Sequence, residues 1–366
     1  MVLVVWFNKS VIFVWLLVRP KGASPINIHW VYAKYKITAY WKIIMLHKNL
    51  KSAVKWVRFF AASRPSAIQR RLAYLSETDA TVILNLHRVA PLDGSAYTPL
   101  SPILFEELIV LCKRLFEVTT IAELREDSER PQLVLSFDDG YLDFYDHAMP
   151  ILERHGIRVN HNLIPQCIES GLPPLNVMAQ DFVGKVPQAA LDKLDVPGFG
   201  EQVTKATKQK LSNFIKFQSD YERNTLAEHL IPQFEKHPSF SPTPMLTKQH
   251  VAELSERHEI GAHSFSHASM SAETDEFVAR DAAQCKLFFQ SNFGLDVDIF
   301  AFPNGSYKDQ HLDIVRSAGF KNLLLVDNMV NAPQSIKSGI LKRTTFDGHS
   351  RAEVIFRGTG AGARAV

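Results

Sequence analysis

The chain has 366 residues, of which 46% are hydrophobic and 22% charged, with a formal net charge of +3. That composition fits one large α/β domain with appendages, or two domains, and the near balance of charge gives no case for nucleic-acid binding. Three cysteines, Cys112, Cys167 and Cys285, are too few and too scattered for a disulfide framework or a thiolate metal site, and they point mildly to a reducing compartment.

Residues 1–44 form an atypical leader. The apolar run from Val11 to Val18 is too short for a bilayer span of about 20 residues, and Arg19-Pro20-Lys21-Gly22 stands where a small-x-small cleavage site would follow an export signal. Three readings stay open: a disordered or membrane-touching leader, a non-cleaved anchor, or an over-extended start with Met45 as the true initiator. The last is favoured. Residues 45–79 read as a basic helical extension, a pair of helices broken at Ser63-Arg64-Pro65. Its basic face is ordinary solvated surface or, less favoured, a peripheral contact with anionic lipid.

The main domain is placed at 80–346. Thr81 to Val89 reads as its first strand, with His87 near the strand's end. Ser101-Pro102 caps a helix carrying Phe105, Leu108 and Leu111 at helical spacing. Val118 to Ile121 is a short strand, and Leu133 to Ser136 a buried one. Tyr145 to His155 is a helix closed by Gly156, and Val159 to Ile164 the next strand. A segment of about 167–245 has little strand character, is helical through about Lys236, and exceeds an ordinary connection. We expect it to cover the barrel mouth and shape the substrate site; a surface decoration is the alternative.

Thr247 caps a helix ending near His258. Glu259 to Ala262 is a strand, Phe277 to Phe293 a helix, Ile299 to Phe302 a strand, His311 to Ala318 a helix, Asn322 to Val326 a strand and Ile340 to Thr345 the last strand. Residues 347–366, rich at their end in Gly, Ala and Arg, read as a flexible tail. Strands alternating with helices imply a parallel sheet.

Two stretches carry chemistry. In Ser136-Phe137-Asp138-Asp139-Gly140 two carboxylates stand at a strand's end. Neighbouring side chains on a strand point opposite ways, so a turn is needed for both to address one site, and Gly140 permits it. Carboxylates that close repel unless a cation or shared proton intervenes. An ordinary Asp-Gly turn is the plainer reading of this stretch alone. In His263-Ser264-Phe265-Ser266-His267 two imidazoles four apart follow a strand and converge if the chain coils. One Asp with two His makes a three-ligand set that leaves positions for water and substrate.

These motifs, followed by Phe300-Ala301-Phe302-Pro303-Asn304-Gly305, resemble the polysaccharide deacetylase family (carbohydrate esterase family 4, the NodB-homology domain). The similarity covers roughly 80–346. It implies an α/β fold: a distorted (β/α)7-type barrel, here with a helical insertion after an early strand and a helical N-terminal extension. It implies that Asp139, His263 and His267 bind a divalent metal, most often Zn²⁺, and that Asp138 is the general base. The Asn304 backbone N–H, in a turn set by Pro303 and Gly305, is the oxyanion donor, and Ser264 orients its loop.

Two positions depart from the family. Its arginine before the Pro is Phe302 here, and Arg343 is the candidate substitute. Its late Leu-x-His acid motif is missing, so His87, then His349, are candidate acids; a plain strand-end histidine is the other reading of His87. The implied reaction is hydrolysis of an N-acyl group, normally N-acetyl, from an amino sugar of a glycan. Deformylation or another C–N cleavage, and an inactive glycan-binding member, are the alternatives. An intracellular step at or near the inner face of the membrane is expected, with export or anchoring as the alternative.

Overall fold

Among the described residues, short apolar runs separated by amphipathic helices give nine strands: β1 Val82–Leu86, β2 Glu117–Thr119, β3 Gln132–Phe137, β4 Asn160–Leu163, β5 Glu259–Ala262, β6 Ile299–Ala301, β7 Asn322–Leu325, β8 Ile340–Lys342 and β9 Thr344–Thr345. The computed structural model describes residues 56–126, 128–346 and 348–365. The expectations for the leader, and for the extension before residue 56, lie outside them. Every pairing between these strands is parallel. The order is β8-β7-β6-β5-β4-β3-β1-β9, with β2 beside the start of β3.

Arg343 alone separates β8, which pairs with β7, from β9, which pairs with β1. Residues 340–345 therefore act as one stave that closes the sheet on itself. With β1, β3, β4, β5, β6 and β7 this makes the seven-stave α/β barrel expected from the sequence. Both faces of β1 and β3 are buried, as a parallel sheet requires. Leu84, Leu86, Leu133, Leu135 and Phe137 pack outward in the main core with Phe105 and Phe144. Ile83, Val134, Ile299, Leu324 and Leu341 form a separate cluster. They share the strand parity of Asn85, Ser136 and Arg343, so they plug the barrel interior while polar residues two places further on line its upper end.

The insertion folds into helices Pro165–Ser170, Leu175–Lys185, Gln188–Leu191, Lys208–Lys216 and Asp220–Glu235. It has its own core of Met178, Phe182, Leu211, Ile215, Leu230 and Phe234. Ahead of the barrel, the break at Ser63-Arg64 is followed by helix Pro65–Glu77. No helix among the described residues is long and apolar enough to cross a membrane. All three cysteines are free and buried.

Two expectations need correction. The helix after β3 opens as a π-turn, Phe144–Ala148, before regular α-helix Met149–His155. Pro150 has no N–H to give to the residue four before it, so the ladder widens there. The flexible tail is also wrong from Ser350 on. Ser350 caps helix Arg351–Gly358 by accepting from Glu353 N, and Val354 and Phe356 are buried. Composition hid this, because Gly358 is an aid to packing: a Cβ there would meet Leu108 Cδ1 at 2.7 Å.

Candidate metal centre

Asp138 continues β3, its N–H donating to Leu86 O at 3.0 Å. Gly140 N then donates to Asp138 O at 3.1 Å, closing a three-residue turn around Asp139, whose φ is +77°. Such a turn is strained for a residue with a Cβ. It is what turns two adjacent carboxylates toward one site. Asp139, Ser264, His267 and Asn304 all have positive φ, and strain of this kind gathers where surrounding structure holds functional groups in place.

The site comes together as follows. Asp139 Oδ1 lies 3.4 Å from both His263 Nε2 and His267 Nε2. Ligand atoms of the three residues all lie within 4.8 Å of one another, and all three residues are buried. His263 Nδ1 is 2.8 Å from the Ala301 carbonyl, which only an N–H can satisfy, so Nε2 is left bare toward the cluster. Burial holds both imidazoles below their ordinary pKa, against the pull of Asp138 and Asp139 on His263 and of Asp139 on His267. Burial works against ionised Asp139, but the adjoining imidazoles, His267 first, outweigh it and hold the carboxyl far below its usual range. Tyr141 Oη donates to Asp139 Oδ2 at 2.8 Å, whereas the buried Oδ1 has no hydrogen-bond partner.

The His-x-x-x-His loop is held from two sides. Asp281, on the helix Asp275–Phe293, accepts from Ser264 Oγ at 2.9 Å and from Phe265 N at 3.0 Å. Burial raises the Asp281 carboxyl to about 6 despite those bonds. Arg223, on the insertion helix Asp220–Glu235, donates to His267 O at 2.8 Å and Ser266 O at 3.2 Å.

Asp138 sits in a polar cage. Its Oδ1 accepts from Arg343 Nη1 at 2.6 Å and from Asn162 Nδ2 at 2.8 Å. Its Oδ2 accepts from Asn85 Nδ2 at 2.5 Å and lies 3.8 Å from His263 Nε2. Burial alone would raise this carboxyl; the Arg343 charge outweighs burial and holds it well below the carboxylate range. Phe302, where the family's arginine would stand, is instead packed in the core at 5.2 Å from the Phe300 ring.

His87, Asn304 and the three cluster residues share one cavity of about 300 Å³ with Asp138. His87 is half-buried, and burial lowers its pKa against the pull of Asp139 and Asp138. Pro303–Gly305 is one 3₁₀ turn with Asn304 at φ +57°. Its Nδ2 donates to Ser269 Oγ at 3.1 Å. His349 is exposed and is not among the cavity walls. The insertion contributes Asn176, Gln180, Asn213, Lys216 and Phe217 to those walls. Sequence reasoning missed Asn85, Asn162, Tyr141, Arg223, Lys216 and Asp281. The one available signal was strand parity, which places Asn85 and Asn162 on the interior face one residue short of a strand's end.

Comparison with curated proteins finds no match. A sequence model described as polysaccharide deacetylase matches residues 125–323. The chain belongs to the polysaccharide deacetylase family. As a polysaccharide deacetylase it is a hydrolase of carbon–nitrogen bonds other than peptide bonds. Among solved structures, the Streptococcus pyogenes deacetylase PplD in complex with acetate is 13% identical, covering 76% of this chain and 98% of its own, at a TM-score of 0.52. IcaB from Ammonifex degensii is 17% identical over 76% of this chain and 97% of its own, at a TM-score of 0.50. At such identities both speak for the fold alone.

The polysaccharide deacetylase family is generally metal-dependent, and the residues present fit a divalent ion. The donor set is two imidazoles and a carboxylate, His263 presents a bare Nε2, and Asp139 Oδ1 is a buried oxygen that nothing else satisfies.

Proposed function

We propose that this polysaccharide deacetylase removes N-acyl groups, N-acetyl first among them, from amino sugars of a glycan by metal-assisted hydrolysis. The observation that carries the reading is the approach of Asp139, His263 and His267 ligand atoms within 4.8 Å of one another, with Asp138 against the same cluster.

Asp139, His263 and His267 would hold the ion, with Zn²⁺ the best match to one oxygen and two nitrogen donors. When bound, it supplies Lewis acidity and lowers the pKa of a coordinated water. Asp138 takes the proton of the attacking water. Its Oδ2 is the suited atom, because Oδ1 already accepts from two donors while Oδ2 accepts from Asn85 alone. Arg343 keeps Asp138 ionised and fixed in orientation. The Asn304 N–H, in the turn Pro303–Gly305, faces charge developing on the acyl oxygen. His87, in the same cavity, returns a proton to the leaving amine. Burial lowers its pKa, so the proton it delivers is the one Asp138 takes from the water, passed on within the cavity.

The test is acyl release from N-acetylglucosamine oligomers, with acetate and formate both measured and bound metal quantified. Acetate release that disappears on metal removal and returns on reloading supports the reading. Formate release from N-formyl analogues alone would move it to deformylation. Glycan binding by metal-loaded protein without release of either acid would make the chain an inactive binder.

A further inference from the structure

We propose that the wall of this cavity built by the insertion recognises an anionic substituent, a phosphate or a carboxylate, on the sugar substrate, and that Lys216 is the residue that reads it. The inference rests on the deacetylase reading and names its substrate class.

Lys216 ends the helix Lys208–Lys216 and lines the cavity beside Phe217. It is half-buried. It shares the walls of that cavity with His87, Asp139 and His267. Yet among the described residues no carboxylate reaches ion-pair distance of it. Other buried cations nearby are all paired: Arg343 with Asp138 at 2.6 Å, Arg88 with Asp143 at 2.8 Å and Arg223 with Asp220 at 2.7 Å. A partly desolvated charge without a counter-charge costs free energy. A site that keeps one is suited to a ligand that brings the missing charge.

The charge balance points the same way. Asp138 and Arg343 cancel. A divalent ion on Asp139 leaves one net positive charge, and Lys216 adds another. A neutral amino sugar leaves that excess standing, whereas an anionic one offsets part of it. The neighbours on this wall suit a sugar. Asn176 and Asn213 are neutral amides that add no competing charge, and Phe217, 58% exposed, presents a ring face on which an adjoining pyranose can lie. The charge has two sources, a glycosyl phosphate or a uronic acid neighbour, and the experiment separates them.

The test is equilibrium binding, which needs no turnover. Glucosamine, glucosamine 1-phosphate and a glucuronate–glucosamine disaccharide are titrated into the full chain, metal-loaded and metal-stripped, as wild type, Lys216→Met, Lys216→Arg and Phe217→Ala. We expect wild type to bind one charged ligand about tenfold tighter than glucosamine, equivalent to about 1.4 kcal/mol, in both metal states. Lys216→Met should erase that preference and Lys216→Arg keep most of it. Phe217→Ala should weaken charged and neutral ligands alike. The charged ligand preferred identifies the source. Equal affinity of wild type for charged and neutral ligands overturns the proposal whether or not the variants fold, as does a Lys216→Met variant that loses all ligands equally. A charged-ligand preference without acyl release from any substrate would leave this inference standing and remove the deacetylation reading.

Discussion

Arg343 Nη1 lies 2.6 Å from Asp138 Oδ1, joining residues 205 positions apart in the chain. Neither side chain is more than 2% exposed. The arginine comes from the point where β8 hands over to β9, so the residue that closes the barrel also sets the charge state of the carboxylate beside the candidate ligands Asp139, His263 and His267.

Replacing Arg343 with Met should therefore do two things. Breaking a buried pair leaves an uncompensated charge and should cost about 3–5 kcal/mol of stability, read from denaturant unfolding. Losing the guanidinium should raise the Asp138 pKa, so the acid limb of the kcat/KM profile should move to higher pH while bound metal is unchanged. Lost metal, or an unshifted profile, would contradict the role given to Arg343.

Metal occupancy should depend on His267 and not on Asp138. His267→Ala removes one of three ligands and should abolish tight binding of a divalent ion, measured by elemental analysis after dialysis. Asp138→Asn should retain the ion and lose turnover by a factor of about 10²–10⁴, the usual contribution of a positioned base. Equal metal loss in both variants would show that Asp138 is a ligand.

Gly261 has a less visible task. A Cβ at this position would fall 2.3 Å from Asn162 Oδ1, and Asn162 donates to Asp138. Gly261→Ala should displace that amide and lower kcat, with little change in KM or in bound metal. A variant with wild-type kcat would mean that the Asn162 bond does not position the base.

Acid stability should be limited by a pair of buried histidines away from the site. Neither ring nitrogen of His161 or His258 has a hydrogen-bond partner among the described residues, and both rings pack on Phe144. Burial pushes His161 down to about 3 and His258 to about 4. The unfolded chain takes up their protons near pH 6.5 while the folded chain refuses them. Stability is therefore full above about pH 6.5 and falls as pH drops toward 4, by up to about 1.4 kcal/mol per pH unit for each group. His161→Leu should flatten that slope in unfolding measured between pH 7 and 4. An unchanged slope would exclude His161 as a cause.

The elements of this fold were legible because each is written locally. Strands such as Val82–Leu86 and Gln132–Phe137 are short apolar runs, and Ser101, Thr247, Gly156 and Gly294 mark helix ends with side-chain or left-handed caps. The ligand candidates were legible for the same reason: Asp138-Asp139 and His263…His267 are compact motifs at strand ends. What surrounds them was not. Asn85 and Asn162 look like polar interruptions in apolar strands until the barrel closes and puts them against Asp138, 53 and 24 residues away in the chain. The helix Arg351–Gly358 carries a local signal in its Ser350 cap, but only burial of Val354 and Phe356 against the rest of the fold shows that this stretch is ordered. Periodicity and caps report contacts within a few residues. Which distant charge stands beside which carboxylate is decided only when the staves register, because that registry sets whether a buried polar group finds its partner.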